Sequence, residues 1–281
     1  MTLGDDARPF IPPGHPVVLM HGFGAFLHLL APVSLNPLIG ALKKKGILVF
    51  APRVEPYSPV DIRVRAWKKS IDQILQTTGS DRVHLIAYSS GGLDARYLIS
   101  REGGFRFIST LTTISTPHRG STVAKAVLEQ PEMIRRGLTS LADWMGRRIH
   151  ASPSDAQRAL EELTPAFVED EFNPQSVDHP DVWYASWAGR AGIGTQTPIN
   201  PLLRPTNRLL YDAEGINDGI VSVRSAMWTG FRGTIEADHG RQIGIKAWNG
   251  TFEPEPFITA IAGELERPPQ SDGPGFSSPL V

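Results

Sequence analysis

Residues 82–100, RVHLIAYSSGGLDARYLIS, constrain what this chain can fold into more than any other stretch. Val83, Leu85 and Ile86 lie in a short apolar run with β-branched character, and beyond Ser90 the residues Leu93, Tyr97 and Leu98 recur at helical spacing. A buried strand therefore runs directly into a helix. The junction Ala87-Tyr88-Ser89-Ser90-Gly91 fits the G-x-S-x-G turn, with alanine replacing the first glycine. Such a turn lifts one serine hydroxyl to its apex, and it is so tight that the residues two before and two after that serine must be small. Ser89 has Ala87 and Gly91 in those places, whereas Ser90 would have Tyr88 and Gly92, and a tyrosine does not fit. Ser89 is thus the candidate nucleophile. Serines ahead of a helix also suit plain N-capping, so the assignment depends on partners elsewhere in the chain.

The flanking sequence supplies a matching scaffold. Val17 to Met20 read as a strand that ends at His21-Gly22-Phe23-Gly24, and 47–50 read as a second buried strand. Residues 32–45 have a helical pattern with a basic end closed by Gly46, and 60–78 form another, with Ile62, Trp67, Ile71, Ile74 and Leu75 near helical spacing. Residues 108–114 are the next apolar strand. Strands alternating with helices predict an α/β fold with a parallel sheet covered on both faces. A chain of 281 residues, 41% of them hydrophobic, can bury one large core. A single domain over 1–266 is expected, and the polar, Pro/Gly/Ser-rich 267–281 reads as a flexible tail.

Composition excludes several classes of function. A net charge of -1 leaves no electrostatic footprint for nucleic acid. The chain has no cysteine, which removes thiol chemistry and cysteine metal sites and makes an oxidising compartment unnecessary. The opening MTLGDDARPF carries two aspartates and no apolar run of a secretory signal. No stretch approaches the ~20 apolar residues of a membrane span. A soluble, cytoplasmic protein is the expectation.

A nucleophilic serine needs a base and an acid to orient that base, and in layouts of this kind they follow in the order Ser, Asp or Glu, His. His239 comes after a strand-like run, 233–237, and after the turn-borne Asp218 of Asn217-Asp218-Gly219. An Asp in a tight glycine turn can project its carboxylate from a strand end, although the same triplet also makes an ordinary turn. Asp238 is a weaker rival, since neighbours in an extended chain point to opposite sides; Asp212 and Glu214 stand in reserve. Backbone N–H groups of Ser90 and Phe23 are the candidate oxyanion donors, with Gly22 and Gly24 allowing close approach of the backbone. His21 reads as a structural hydrogen-bonding residue at the strand end.

MHGFG, the turn with its GGLDARYL continuation, STLTTISTPHRGS, WYASWAG, NDGIVSVRSA and ADHGRQIG together resemble the successive blocks of bacterial true lipases of the Pseudomonas, Burkholderia and Proteus type, lipase family I. The resemblance runs from about Pro16 to Gly244. It implies an α/β-hydrolase fold with Ser89, Asp218 and His239 as a catalytic triad, acting on esters of long-chain acids, triglycerides included, without a cofactor. The family carries a structural calcium near the catalytic histidine. Here the ligand position just beyond that histidine is Arg241, and 182–211 contain neither Asp nor Glu. Calcium wants about six to eight hard oxygens, usually with carboxylates among them, so no metal is expected.

Residues 121–175 form the expected helical lid. Within 121–149, Leu138, Leu141, Trp144, Met145 and Ile149 make an apolar stripe beside Arg135, Arg136, Arg147 and Arg148. Such a face suits transient contact with a lipid–water interface, and equally suits a helix packed permanently on the core. A lipid or ester is the expected partner. A thioesterase, an acyltransferase or a non-catalytic binder of an apolar ligand are the alternatives on the same fold.

Overall fold

A computed structural model of the chain describes residues 13–22, 35–149, 154–245 and 250–266, with the side chains of 141 and 144–149 outside the description. The strands are β1 (Val17–Met20), β2 (Val49–Phe50), β3 (Val83–Tyr88), β4 (Ile108–Ile114), β5 (Trp183–Gly189) and β6 (Phe231–Ile235). They form one sheet in the order β2-β1-β3-β4-β5-β6, and every neighbouring pair is parallel. Parallel strands need crossovers that place helices on the faces, and the alternation of strand side chains sorts the core accordingly. Val18 and Met20 of β1, with Val83, Leu85 and Ala87 of β3, enter one cluster with Val64, Trp67, Ile71, Leu98 and Ile99. Val17 and Leu19, with Ile86 and Tyr88, enter the opposite cluster with Leu38, Leu42, Phe257, Ile258 and Ile261.

Four helices supply those apolar faces. Val60–Thr78 and Gly91–Arg101 cover one side of the sheet, and Asn36–Lys44 and Pro254–Glu264 the other. Val60–Thr78 ends at Gly79, whose φ of 68° suits a left-handed helix cap that glycine adopts without penalty. Asn36–Lys44 begins later than the 32–45 pattern, with proline in its first turn; 32–34 lie outside the described residues.

The strand expected over 47–50 is shorter than its apolar run. Only Val49 and Phe50 are strand, and Leu48 is 51% exposed. Among the described residues β2 is the edge strand of the sheet, and Leu48 precedes it. In 121–175 the described α-helices are Thr122–Leu128, Glu132–Ile149, Ala156–Glu161 and the short Asn173–Gln175; Asp155 caps the third, accepting from Arg158 N. Phe167–Phe172, where the pattern suggests an ordinary helix, is a π-helix. The tail 267–281 lies outside the described residues. Among the described residues no helix is long and apolar enough to cross a membrane.

Candidate active site

β3 ends at Tyr88, and the helix that follows begins at Gly91. Ser89, between them, has φ 56°. A left-handed conformation at a non-glycine residue costs on the order of 1–3 kcal/mol, and such strain clusters at functional sites. The surroundings hold the turn in place: Ser89 N donates to Ile114 O at 2.9 Å, and Thr116 Oγ1 donates to Ser89 O at 2.7 Å. A Cβ on Gly91 would stand 2.7 Å from His21 O, and one on Gly92 would collide with the Thr116 side chain. The small residues read from the sequence are therefore demanded by neighbouring strands.

Asp218 lies in the turn after the helix Arg204–Glu214, and that turn is pinned rather than free. Asn217 is fully buried; its Oδ1 accepts from Asn207 Nδ2 at 2.7 Å and from Gly219 N at 2.8 Å, and its main-chain O accepts from Ala191 N at 2.9 Å. These bonds set the acid turn at the C-terminal end of β5. Gly219 has φ 96°, which a side chain would disfavour. His239 follows β6, and its N–H donates to Asp218 O at 2.9 Å.

Three residues from distant parts of the chain thus meet at the carboxyl ends of the strands. His239 Nε2 lies 3.0 Å from Ser89 Oγ, and His239 Nδ1 lies 2.7 Å from Asp218 Oδ2. Both contacts are buried. Asp218 Oδ1 accepts from Ile220 N at 3.0 Å and Val221 N at 2.8 Å. Burial pushes the Asp218 carboxyl up, but His239 and the two backbone donors outweigh it and hold the group below the usual carboxylate range. Asp218 is an ionised acceptor, and the imidazole can hold its Nδ1 proton toward it.

Three more residues surround the pair; the sequence reading singled out Arg241, while the contacts of Gln242 and Tyr88 escaped it. Gln242 Nε2 donates to Asp218 Oδ2 at 2.9 Å. Tyr88 donates through its hydroxyl to His239 O, and its ring lies 4.8 Å from the imidazole centroid. Burial, with Asp218 and Asp238 nearby, pushes the Tyr88 phenol well above its ordinary value, so it stays a donor. Arg241 N donates to Asp238 Oδ1 at 2.9 Å, and its guanidinium donates to Phe252 O at 3.2 Å and to Gly250 O. The only hint of Gln242 in the chain was its nearness to His239.

The rival acids are engaged elsewhere. Asp238 accepts from Asn200 N at 3.0 Å as well as from Arg241 N, and burial raises its carboxyl above the usual range. Asp212 pairs with Arg208, and Glu214 accepts from the hydroxyls of Thr122 and Ser222. His21 Nε2 accepts from Val54 N at 3.2 Å, which ties the end of β1 to the neighbouring loop.

Ser90 N sits at the N-terminus of the helix Gly91–Arg101, where the backbone dipole favours negative charge. A Cβ on Gly22 would lie 2.7 Å from Ser90 N and 2.7 Å from Ser89 Cβ, so glycine leaves the space in front of this donor open. Phe23, the other expected donor, lies outside the described residues.

This arrangement has relatives. Triacylglycerol lipase 2 of Saccharomyces cerevisiae is 30% identical over 205 residues, which cover 70% of this chain and 58% of that protein. A triacylglycerol lipase of Vibrio cholerae is 25% identical over 267 residues, covering 86% of this chain and 84% of its own. The chain is a relative of the triacylglycerol lipases and has the α/β-hydrolase fold. No family model matches it. Among solved structures, a metagenomic carboxyl esterase superposes with TM-score 0.73 at 19% identity, over 94% of this chain and 80% of its own. A Bacillus licheniformis lipase superposes with TM-score 0.61 at 22% identity, over 84% of this chain and 88% of its own. The chain spans little more than half the length of the yeast relative.

Proposed function

We propose that this protein is a serine hydrolase that cleaves carboxylic esters of lipids, with Ser89 as nucleophile, His239 as base and Asp218 as the acid that orients it. The observation that carries the reading is the buried line Ser89 Oγ, His239, Asp218, at 3.0 and 2.7 Å, with the strained turn aiming the serine. A pure binding protein has no use for such an alignment. The relatives named as triacylglycerol lipases support the substrate class.

Chemistry follows from the geometry. Ser89 Oγ attacks the ester carbonyl as its proton passes to His239 Nε2, and Asp218 stabilises the imidazolium. The Ser90 N–H faces the developing oxyanion. Collapse gives the acyl-enzyme, and His239 returns the proton to the departing alcohol. Water then attacks the acyl carbon, with its proton taken by His239, and the carboxylic acid leaves. A fluorophosphonate probe should label the native protein on Ser89, with hydrolysis of p-nitrophenyl esters and emulsified triglyceride. An unlabelled native protein would point to a non-catalytic binder, and thioesters cleaved faster than esters to a thioesterase.

The helix Glu132–Ile149 is the lid in this reading. Met133 is 85% exposed, Ile134 48% and Leu138 44%, beside the exposed Arg136. The exposed apolar strip suits adsorption at a lipid surface, and the charge of Arg136 beside it is paired with Glu132. The inner side packs Ala142 with Tyr57 and Ala156, a small contact compared with the main cores. Ile134→Ser with Leu138→Ser should lower activity on emulsified triglyceride several-fold more than on a soluble short ester. Equal losses on both substrates would mark the helix as a fixed part of the core.

The calcium of the resembling lipases does not fit here. The Arg241 guanidinium donates to the Gly250 and Phe252 carbonyls, so a fixed cation already stands beside oxygens that a metal would need. Excess EGTA should leave activity and Tm unchanged. Arg241→Ala should lower stability by about 1.5–3 kcal/mol, the range for hydrogen bonds to a charged group. A chelator-induced loss restored by calcium would refute the first expectation, and an unchanged Tm the second.

A further inference from the structure

Gln242 holds a position that the serine chemistry described above leaves unused. It is 3% exposed and lies in the short helical turn Arg241–Ile243, three residues beyond His239. Its Nε2 donates to Asp218 Oδ2 at 2.9 Å, the same oxygen that receives His239 Nδ1 at 2.7 Å. A weaker contact at 3.5 Å reaches Ala237 O. With acceptors on both sides, the amide nitrogen must face Asp218, because a flipped amide would set its carbonyl against a carboxylate. The price of this orientation is an Oε1 that is buried and has no hydrogen-bond partner among the described residues. Packing alone would be served by an apolar side chain, without an orphaned carbonyl.

The space for the amide is provided by another residue. A Cβ on Gly189, the last residue of β5, would stand 1.9 Å from Gln242 Nε2 and 2.9 Å from Asp218 Cβ. Gly189 is not among the residues with positive φ, so the reason for glycine here is room. Asp218 Oδ1 is already held by Ile220 and Val221 N–H, and Gln242 completes the other side. The carboxylate is then fixed in plane and in rotation, with the Oδ2 lone pairs shared between the base and the amide.

We propose that Gln242 is a fourth, positioning member of the relay: its amide fixes Asp218 and moderates the charge that Asp218 presents to His239. The proposal rests on the triad reading above. Asp238 and Tyr88 are the other titratable groups close to the pair, and neither donates to the Asp218 carboxylate among the described hydrogen bonds. The Gln242 N–H is therefore the side-chain dipole that opposes the Asp218 charge next to the imidazole. Removing it has two consequences of different kind. Asp218 gains freedom to rotate, so the base spends less time aligned, and the less screened carboxylate favours the protonated base more strongly.

Gln242→Met, of similar volume but without a donor, tests both consequences on a soluble p-nitrophenyl ester. The expected result is a kcat lowered by about tenfold with KM nearly unchanged, as for loss of one hydrogen bond to a charged group. The acidic limb of the kcat/KM profile should move to higher pH by about half a unit or more, because hydrogen bonds to a charged form shift the titration it governs. Gly189→Ala, which pushes the amide off from the opposite side, should move the limb the same way. Gln242→Glu, which sets a second carboxylate against Asp218, should move it further. Thermal melting of each variant separates loss of fold from loss of alignment. An unmoved limb in melted-normal Gln242→Met, or a fall in kcat with no change in the profile, would assign Gln242 to packing and overturn the proposal. Fluorophosphonate labelling of the native protein at a residue other than Ser89 would instead overturn the triad reading, and the proposal with it.

Discussion

Ser89→Ala should abolish ester hydrolysis, a loss on the order of 10⁶ in kcat as for other triad nucleophiles, while Ser90→Ala retains most of the activity. The two serines are neighbours and both buried, yet the geometry gives them different tasks. Ser89 carries the strained φ of 56° and places its hydroxyl 3.0 Å from His239 Nε2. Ser90 stands at the N-cap of the following helix, but its side chain makes no capping hydrogen bond there. What Ser90 offers the reaction is its backbone N–H, and alanine keeps that group. Rates on a soluble p-nitrophenyl ester, with fluorophosphonate labelling of each variant, decide the matter. An active Ser89→Ala beside an inactive Ser90→Ala would move the turn by one residue and dissolve the Ser89–His239–Asp218 line.

The scaffold was legible where local pattern and tertiary burial agree. The expected strand over 108–114 and the helix over 60–78 coincide with Ile108–Ile114 and Val60–Thr78, because both are apolar at the period their environment requires. The run 47–50 misled, since only its last two residues pair with β1, and Leu48, ahead of them, faces outward. The π-helix Phe167–Phe172 was not legible, as side-chain spacing barely distinguishes it from an α-helix. Ser89, Asp218 and His239 stood out because a tight turn, a glycine-flanked acid and a late histidine each leave a trace in the sequence. Gln242 left only its nearness to His239, and Tyr88 none. Their contacts with Asp218 and His239 depend on how β5, β6 and β3 converge, and an amide or a phenol looks the same in the sequence whether it touches the relay or not. The proposed oxyanion donors are backbone groups, which no residue type marks.

The second large effect concerns stability and reaches the site from beneath. Arg63, on the helix Val60–Thr78, is 4% exposed, and Asp94, in the first turn of the helix after Ser90, is 1% exposed. Arg63 Nε lies 3.0 Å from both Asp94 oxygens, and its second guanidinium nitrogen lies 2.6 Å from Oδ1. Trp67 Nε1 donates to Asp94 Oδ2 at 3.1 Å, and Arg63 also donates to Ser58 O. Burial disfavours the guanidinium charge, but Asp94, with Glu162 and Asp61 nearby, more than offsets it, so Arg63 stays cationic. Such a pair contributes little net stability compared with apolar replacements, yet removing one partner strands a buried charge, at about 3–5 kcal/mol. Set against the 5–15 kcal/mol or so that stabilises a typical domain, Arg63→Ala or Asp94→Ala should bring the protein close to unfolding at moderate temperature. Arg63→Met combined with Asp94→Leu should recover much of that loss, since no charge is left unpaired. The helix that carries Asp94 also aims Ser90 N–H, so the single variants that remain folded should react more slowly with a fluorophosphonate as well. Urea unfolding of the two singles and the double closes the cycle: a double variant as unstable as the sum of the singles would show that the pair is not coupled. A recovered double that still reacts slowly would place the role of the ion pair in aiming the turn, beyond its role in holding the two helices together.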